Sequence, residues 1–82
     1  MLLPDKHISL AESIIGLGAF VLGELSRPQS IDRLHSRVSK ACESRELPAY
    51  HDFDGLLLAV LFLYSIGAVE LTADGGIQRC AY

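Results

Sequence analysis

Nine consecutive apolar residues, Leu56-Leu57-Leu58-Ala59-Val60-Leu61-Phe62-Leu63-Tyr64, follow His51-Asp52-Phe53-Asp54-Gly55 and stop at Ser65-Ile66-Gly67. The run predicts a helix that is apolar on every side, and such a helix must be enclosed all round by its own domain, a membrane or a partner. The chain has 82 residues, and domains of this size bury only about 60% of the surface their unfolded chains expose. Its own domain therefore supplies too little cover. Even continued to Val69, the run falls short of the roughly 20 residues needed to cross a bilayer. A partner protein is the leading explanation. Composition agrees: 50% of the residues are hydrophobic and mean hydropathy is +0.32, high for a small domain with most residues near water.

The formal net charge of -3 gives no overall field that would draw the protein to nucleic acid or anionic lipid. Cys42 and Cys80 are far apart, without the paired spacing of a zinc site or the density of a secreted disulfide scaffold, so a reducing cytoplasm is expected. Met1-Leu2-Leu3-Pro4-Asp5-Lys6 lacks a basic region followed by an apolar core and cleavage site, and no export signal is read there.

Leu2, Leu3 and Ile8 surround Pro4, which an edge strand or extended arm tolerates better than a helix interior, so residues 1–8 are read as an extended arm. Ser9 can cap a helix with Glu12 at its third position, and Leu10, Ile14, Leu17, Val21 and Leu25 recur at helical spacing, placing helix one over Leu10 to Leu25. Gly16, Ala19 and Gly23 form a stripe of small residues along it despite a cost of about 1 kcal/mol per helical glycine, which predicts a close neighbour. Ser26-Arg27-Pro28-Gln29 breaks the helix. Ser30 then caps an amphipathic helix two, with Ile31, Leu34, Val38 and Cys42 on one side and Arg33, Arg37 and Lys40 on the other. Residues 43–50 form a polar connector. Asp52 caps the apolar helix, Asp54 favours its positive end and Gly67 ends it. Ala68–Thr72 and Ile77–Cys80 alternate around Ala73-Asp74-Gly75-Gly76, the signature of a hairpin.

The expected fold is therefore mainly α with a small β-hairpin: a winged helix-turn-helix-like single domain over residues 1–82. The arm occupies 1–8, three helices 9–67, and the hairpin and tail 68–82, with the arm available as a third strand beside the hairpin.

A helix-turn-helix domain that reads DNA presents Arg, Lys, Asn or Gln from its last helix to base edges. Between Phe53 and Gly67 this chain has none, and its one charge there, Asp54, repels phosphate. Five of the seven basic residues (Arg27, Arg33, Arg37, Lys40 and Arg45) lie on helix two and its flanks. Interleaved with Asp32, Glu43 and Glu46, they read first as a solvated face. The sharper reading is a charged docking face of Arg33, Arg37 and Lys40 for an acidic partner or a DNA backbone held by a larger assembly. Gly16-Leu17-Gly18 with Gly23 resembles a dinucleotide loop only loosely, since the third glycine is misplaced and no strand precedes it. His7, His35 and His51 lack paired ligand spacing, so no metal site is expected. So small a domain leaves little room for a water-excluding cleft, and no catalytic residue is assigned.

Aromatic anchors dominate binding energy, which directs attention to Phe53, Phe62 and Tyr64. Assigning Leu57, Val60, Leu61 and Tyr64 to the interior leaves Phe53, Leu56, Leu58, Phe62, Leu63 and Ile66 as the apolar partner interface.

On several of these residues the chain resembles a known family, the small middle components of bacterial ABC-three-component systems, in their sixth group. The resemblance spans nearly the whole chain. It rests on Leu3-Pro4-Asp5-Lys6-His7-Ile8, Gly16-Leu17-Gly18, Pro28, and above all Phe53-Asp54 with Leu61-Phe62-Leu63-Tyr64-Ser65-Ile66-Gly67-Ala68-Val69-Glu70. It implies a non-catalytic adaptor between an SMC- or Rad50-like ATPase and an effector subunit, often a nuclease, in an antiviral or anti-plasmid assembly of the Lamassu type. The family offers no catalytic motif to carry onto this sequence, DNA is reached only through the complex, and no cofactor is implied. The sequence has no Walker motif for ATP or Mg. The competing reading is a small dimeric DNA-binding regulator, with helix three as the dimer seam and helix two or the hairpin touching DNA.

Overall fold

The computed structural model describes residues 3–47 and 51–80, with side chains of the first helix described from Ala11 onward. Three helices, α1 (Leu3–Glu24), α2 (Ile31–Glu43) and α3 (Phe53–Ser65), precede an antiparallel hairpin of β1 (Val69–Leu71) and β2 (Ile77–Arg79). This arrangement is consistent with a small winged-helix-like domain.

The N-terminal residues depart from the expected arm. α1 begins at Leu3 and takes in residues 3–8. Pro4 lies in the first turn, where its missing N–H is one of the donors that lack an intrahelical partner anyway, so proline starts the helix instead of excluding it. The arm is therefore not the third strand. That place is taken by the segment after α1: the Gln29 N–H donates to the Ile77 carbonyl (2.9 Å) and the Ile77 N–H to the Gln29 carbonyl (2.7 Å), an isolated antiparallel bridge on the outer side of β2. Pro28 holds the chain extended as it enters this pairing. Gln29 also closes α1, its side-chain amide donating to the Glu24 carbonyl at 2.8 Å.

The other boundaries follow local chemistry. The Ser30 hydroxyl accepts the Arg33 N–H at 3.1 Å, and the Asp52 carboxylate accepts the Gly55 N–H at 2.8 Å. At the end of α3, Gly67 takes φ 78°. The Ala68 N–H then donates to the Leu63 carbonyl (2.8 Å) and the Gly67 N–H to that of Tyr64 (3.1 Å), a Schellman closure. α2 ends the same way through Arg45 at φ 65°, where the Glu46 N–H reaches the Ala41 carbonyl at 2.9 Å. In the hairpin Gly75 has φ 88°, and the Thr72 hydroxyl bonds both the Asp74 carboxylate and the Gly76 N–H.

Leu17, Val21 and Leu25 of α1, Leu34, Val38 and Ala41 of α2, and Leu56, Ala59, Val60 and Leu63 of α3 form one core with Leu47, Val69 and Ile77. Where α1 packs on α3, a Cβ on Gly18 would lie 3.4 Å from the Leu63 side chain. Only this glycine of the first helix meets a neighbour: a Cβ on Gly16 or Gly23 would meet nothing within 4 Å. The neighbour expected along the Gly16, Ala19, Gly23 stripe is not supplied by the described residues of this chain.

Candidate functional site

With Asp52 capping α3 and the Schellman closure ending it, the helix has a fixed rotation against the core. Its buried row is Leu56, Ala59, Val60 and Leu63. Everything else apolar faces outward: Leu61 is 61% exposed, Tyr64 57%, Ile66 58% and Leu58 48%, with Phe53, Leu57 and Phe62 also exposed.

This placement corrects the expected division of the helix. Leu56 and Leu63 are core residues, fully or almost fully buried, and cannot be outward contacts. Leu57, Leu61 and Tyr64, assigned to the interior, face solvent, and only Val60 of that set is buried. Phe53, Leu58, Phe62 and Ile66 lie on the outside. The helix is uniformly apolar, so no polar residue marks its outer side. The available signal was size, since Ala59 and Gly18 are the small residues that let two helices approach closely, and Leu56, Ala59 and Leu63 share that side at helical spacing.

Phe53 anchors the start of α3 to α2: the His35 ring meets it edge-on, with centroids 5.2 Å apart and planes at 88°. His51, just before the cap, is buried. Among the described residues no group of three or more His, Cys, Asp or Glu side chains could hold a metal ion, and no helix is long and apolar enough to cross a membrane.

Arg33, Arg37 and Lys40 share a shallow groove on α2 with Glu24, Gln29 and Ser36. Arg37 is already engaged. Its Nη2 lies 2.7 Å from Glu46 Oε1, its Nε 3.1 Å from Glu24 Oε1, and its guanidinium sits 5.2 Å from the centre of the Phe20 ring. The hydrogen bond to Glu46, with the nearby Glu24 carboxylate, holds its pKa above the ordinary value. Arg37 thus ties the end of α1 to the end of α2 and has little charge to offer a partner. Arg33 and Lys40 are exposed beside it.

The Cys80 thiol is pushed up by partial burial and by the adjacent Glu70 carboxylate, which keeps it protonated and poorly nucleophilic. The described residues thus provide an unusually broad apolar surface on α3 and a modest, partly neutralised basic groove on α2.

Residues 3–80 match the model of the family described as ABC-three component (ABC-3C) system Middle Component 6. No curated protein and no solved structure matches.

Proposed function

The chain belongs to the ABC-three-component system Middle Component 6 family, and on that premise we propose that it is a non-catalytic adaptor subunit of a bacterial antiviral or anti-plasmid complex of the Lamassu type. In this reading it bridges an SMC- or Rad50-like ABC ATPase and an effector such as a nuclease. It docks near the ATPase head or coiled coil and holds the effector inactive until foreign DNA engages the ATPase.

The observation that carries the reading is the outer side of α3. Leu57, Leu58, Leu61, Phe62 and Tyr64 all lie exposed on one short helix, and contiguous exposed apolar surface of this kind marks interaction sites. Lasting complexes have apolar interfaces that resemble a core cut in two. Arg33 and Lys40 serve as a second, polar contact, giving position more than affinity.

The winged-helix-like layout is the one feature that favours a DNA-binding regulator, and the chemistry of α3 opposes it, because the helix that would enter the major groove has no Arg, Lys, Asn or Gln to offer a base edge. Affinity purification of the tagged chain, expressed with its neighbouring genes, tests the adaptor reading. Recovery of an ATPase subunit supports it. Failure to recover one, together with salt-sensitive binding of the isolated chain to its own promoter DNA, replaces it with the regulator.

A further inference from the structure

The hairpin has one covered edge and one open edge. On β2 the Ile77 N–H and carbonyl are both taken by Gln29. β1 pairs with β2 on the other side and ends the sheet there.

The ladder fixes which groups face outward. The Cys80 N–H donates to the Ala68 carbonyl at 3.0 Å and the Thr72 N–H to the Gly76 carbonyl at 2.8 Å, so residues 68, 70 and 72 turn their backbone groups toward β2. In an antiparallel ladder that direction alternates from residue to residue. The N–H and carbonyl of Val69 and of Leu71 therefore point away from the hairpin, and among the described residues nothing bonds them. Native sheets guard such an edge with lysine, proline, a bulge or a covering element. β1 reads Val-Glu-Leu and has only its shortness as protection. Leu71, at this edge, is 65% exposed, and Ile66 is exposed just before the strand.

We infer that the open edge of β1 takes an extended segment of the unlike subunit as an added strand, with a Lys or Arg of that segment opposite Glu70 and apolar residues beside Val69 and Leu71. This rests on the adaptor reading and names a backbone contact within it. In strand addition the main-chain hydrogen bonds supply affinity and the alternate side chains supply specificity.

Charge selects the occupant. The Glu70 side chain lies on the opposite face of the strand from Val69 and Leu71. Gln78 Nε2 donates to it at 2.7 Å, but glutamine is neutral, and no ion pair among the described residues offsets the carboxylate. A second copy pairing antiparallel about a two-fold axis at Glu70 sets the two Glu70 side chains directly opposite each other, and like charges so placed destabilise a sheet. Moving the axis to Leu71 pairs Val69 with Ala73, already in the turn. Moving it to Val69 pairs Leu71 with Gly67, whose φ of 78° is not extended. A basic residue on an unlike strand turns the same carboxylate into an attraction.

The test compares the full chain alone with the full chain purified together with the products of its neighbouring genes. Hydrogen exchange is read at single amides by mass spectrometry. In the chain alone, Val69 and Leu71 exchange faster than Thr72, whose N–H is bonded within the hairpin. In the complex both slow by about tenfold or more. Leu71→Pro removes an N–H that bonds nothing among the described residues, and an edge strand tolerates proline on its open side. This variant melts cooperatively on its own yet captures the other subunit roughly tenfold less well. Leu71→Val keeps both the N–H and an apolar side chain and captures as the wild type does. Glu70→Lys weakens capture.

Unprotected Val69 and Leu71 amides in a complex that does contain another subunit overturn the inference, and the exchange measurement needs no variant to fold. Equal capture by Leu71→Pro and Leu71→Val overturns it too, as does protection of these amides in the chain alone through self-association. The two readings fail differently: a recovered subunit with an unprotected edge sinks the added strand and leaves the adaptor, whereas recovery of no subunit sinks the adaptor and the strand with it.

Discussion

The rotation of α3 is tested by two leucines five positions apart. Leu56 is completely buried, whereas Leu61 is 61% exposed. Truncating a fully buried leucine to alanine costs about 2–5 kcal/mol, the spread depending on how far the cavity collapses. At about 0.05–0.15 kcal/mol per residue, a chain this size has roughly 4–12 kcal/mol in total. Leu56→Ala therefore removes a large share of the stability. In a domain of this length each kcal/mol moves the midpoint by about 4–8 °C, so Tm falls by at least ~8 °C. Leu61→Gln differs in kind. Fully burying a leucine is worth about 1.5–3 kcal/mol, less than half of Leu61 is covered, and glutamine forms helix about as well as leucine. The loss is about 1 kcal/mol, well under that of Leu56→Ala. Thermal and urea melts followed by circular dichroism compare the two directly. If Leu61→Gln proves the more damaging substitution, the assignment of core and outer face is reversed and the docking argument goes with it.

Asp52→Ala removes the cap that accepts the Gly55 N–H and costs about 1 kcal/mol, seen as a lower urea midpoint with an unchanged slope. Asp74 has its pKa lowered from the ordinary 3.8, chiefly by the Thr72 hydroxyl and then by backbone donors. Because the folded value is depressed, its contribution is fully present above pH 3.8 and is lost as pH falls through the lower folded value. Amide exchange at Gly76 should accordingly rise, relative to Asp74→Asn, only in that acid range. Arg33→Glu with Lys40→Glu leaves Tm within about 0.5 kcal/mol equivalent, as expected of surface positions, but weakens partner capture in low salt more than in high salt. Equal capture at both salt concentrations would remove the polar contact from the account.

How much of this was legible in the sequence depends on the range of the physics involved. Ser30, Asp52 and Gly67 act on backbone groups within a few residues, and the helix boundaries they imply agree with α2 and α3. The Asp74-Gly75-Gly76 turn is equally local. Pro4 misled because proline fits both an extended arm and a first helical turn, and nothing nearby distinguishes the two. The third strand was placed in the wrong segment for a longer-range reason: Gln29 pairs with Ile77, a partner far along the chain with two helices between them, which local chemistry does not specify. Arg37 looked free in the sequence since Glu24 lies on another helix and Glu46 beyond a left-handed turn at Arg45. α3 was the hardest case. Its nine-residue apolar run revealed that surface must be hidden and concealed which side, because period carries no information when every position is apolar. That ambiguity is a property of the helix, which is apolar on its buried and its exposed side alike.

The central claim, that the outer side of α3 is where an unlike subunit docks, is met most directly by quantitative co-purification of the Leu61→Lys, Tyr64→Lys variant beside the wild type. Both sites are more than half exposed. The account predicts a variant that still folds cooperatively, with capture of the ATPase or effector subunit lost. Full capture by this folded variant, or a wild-type chain that recovers neither subunit from its own operon, would contradict it.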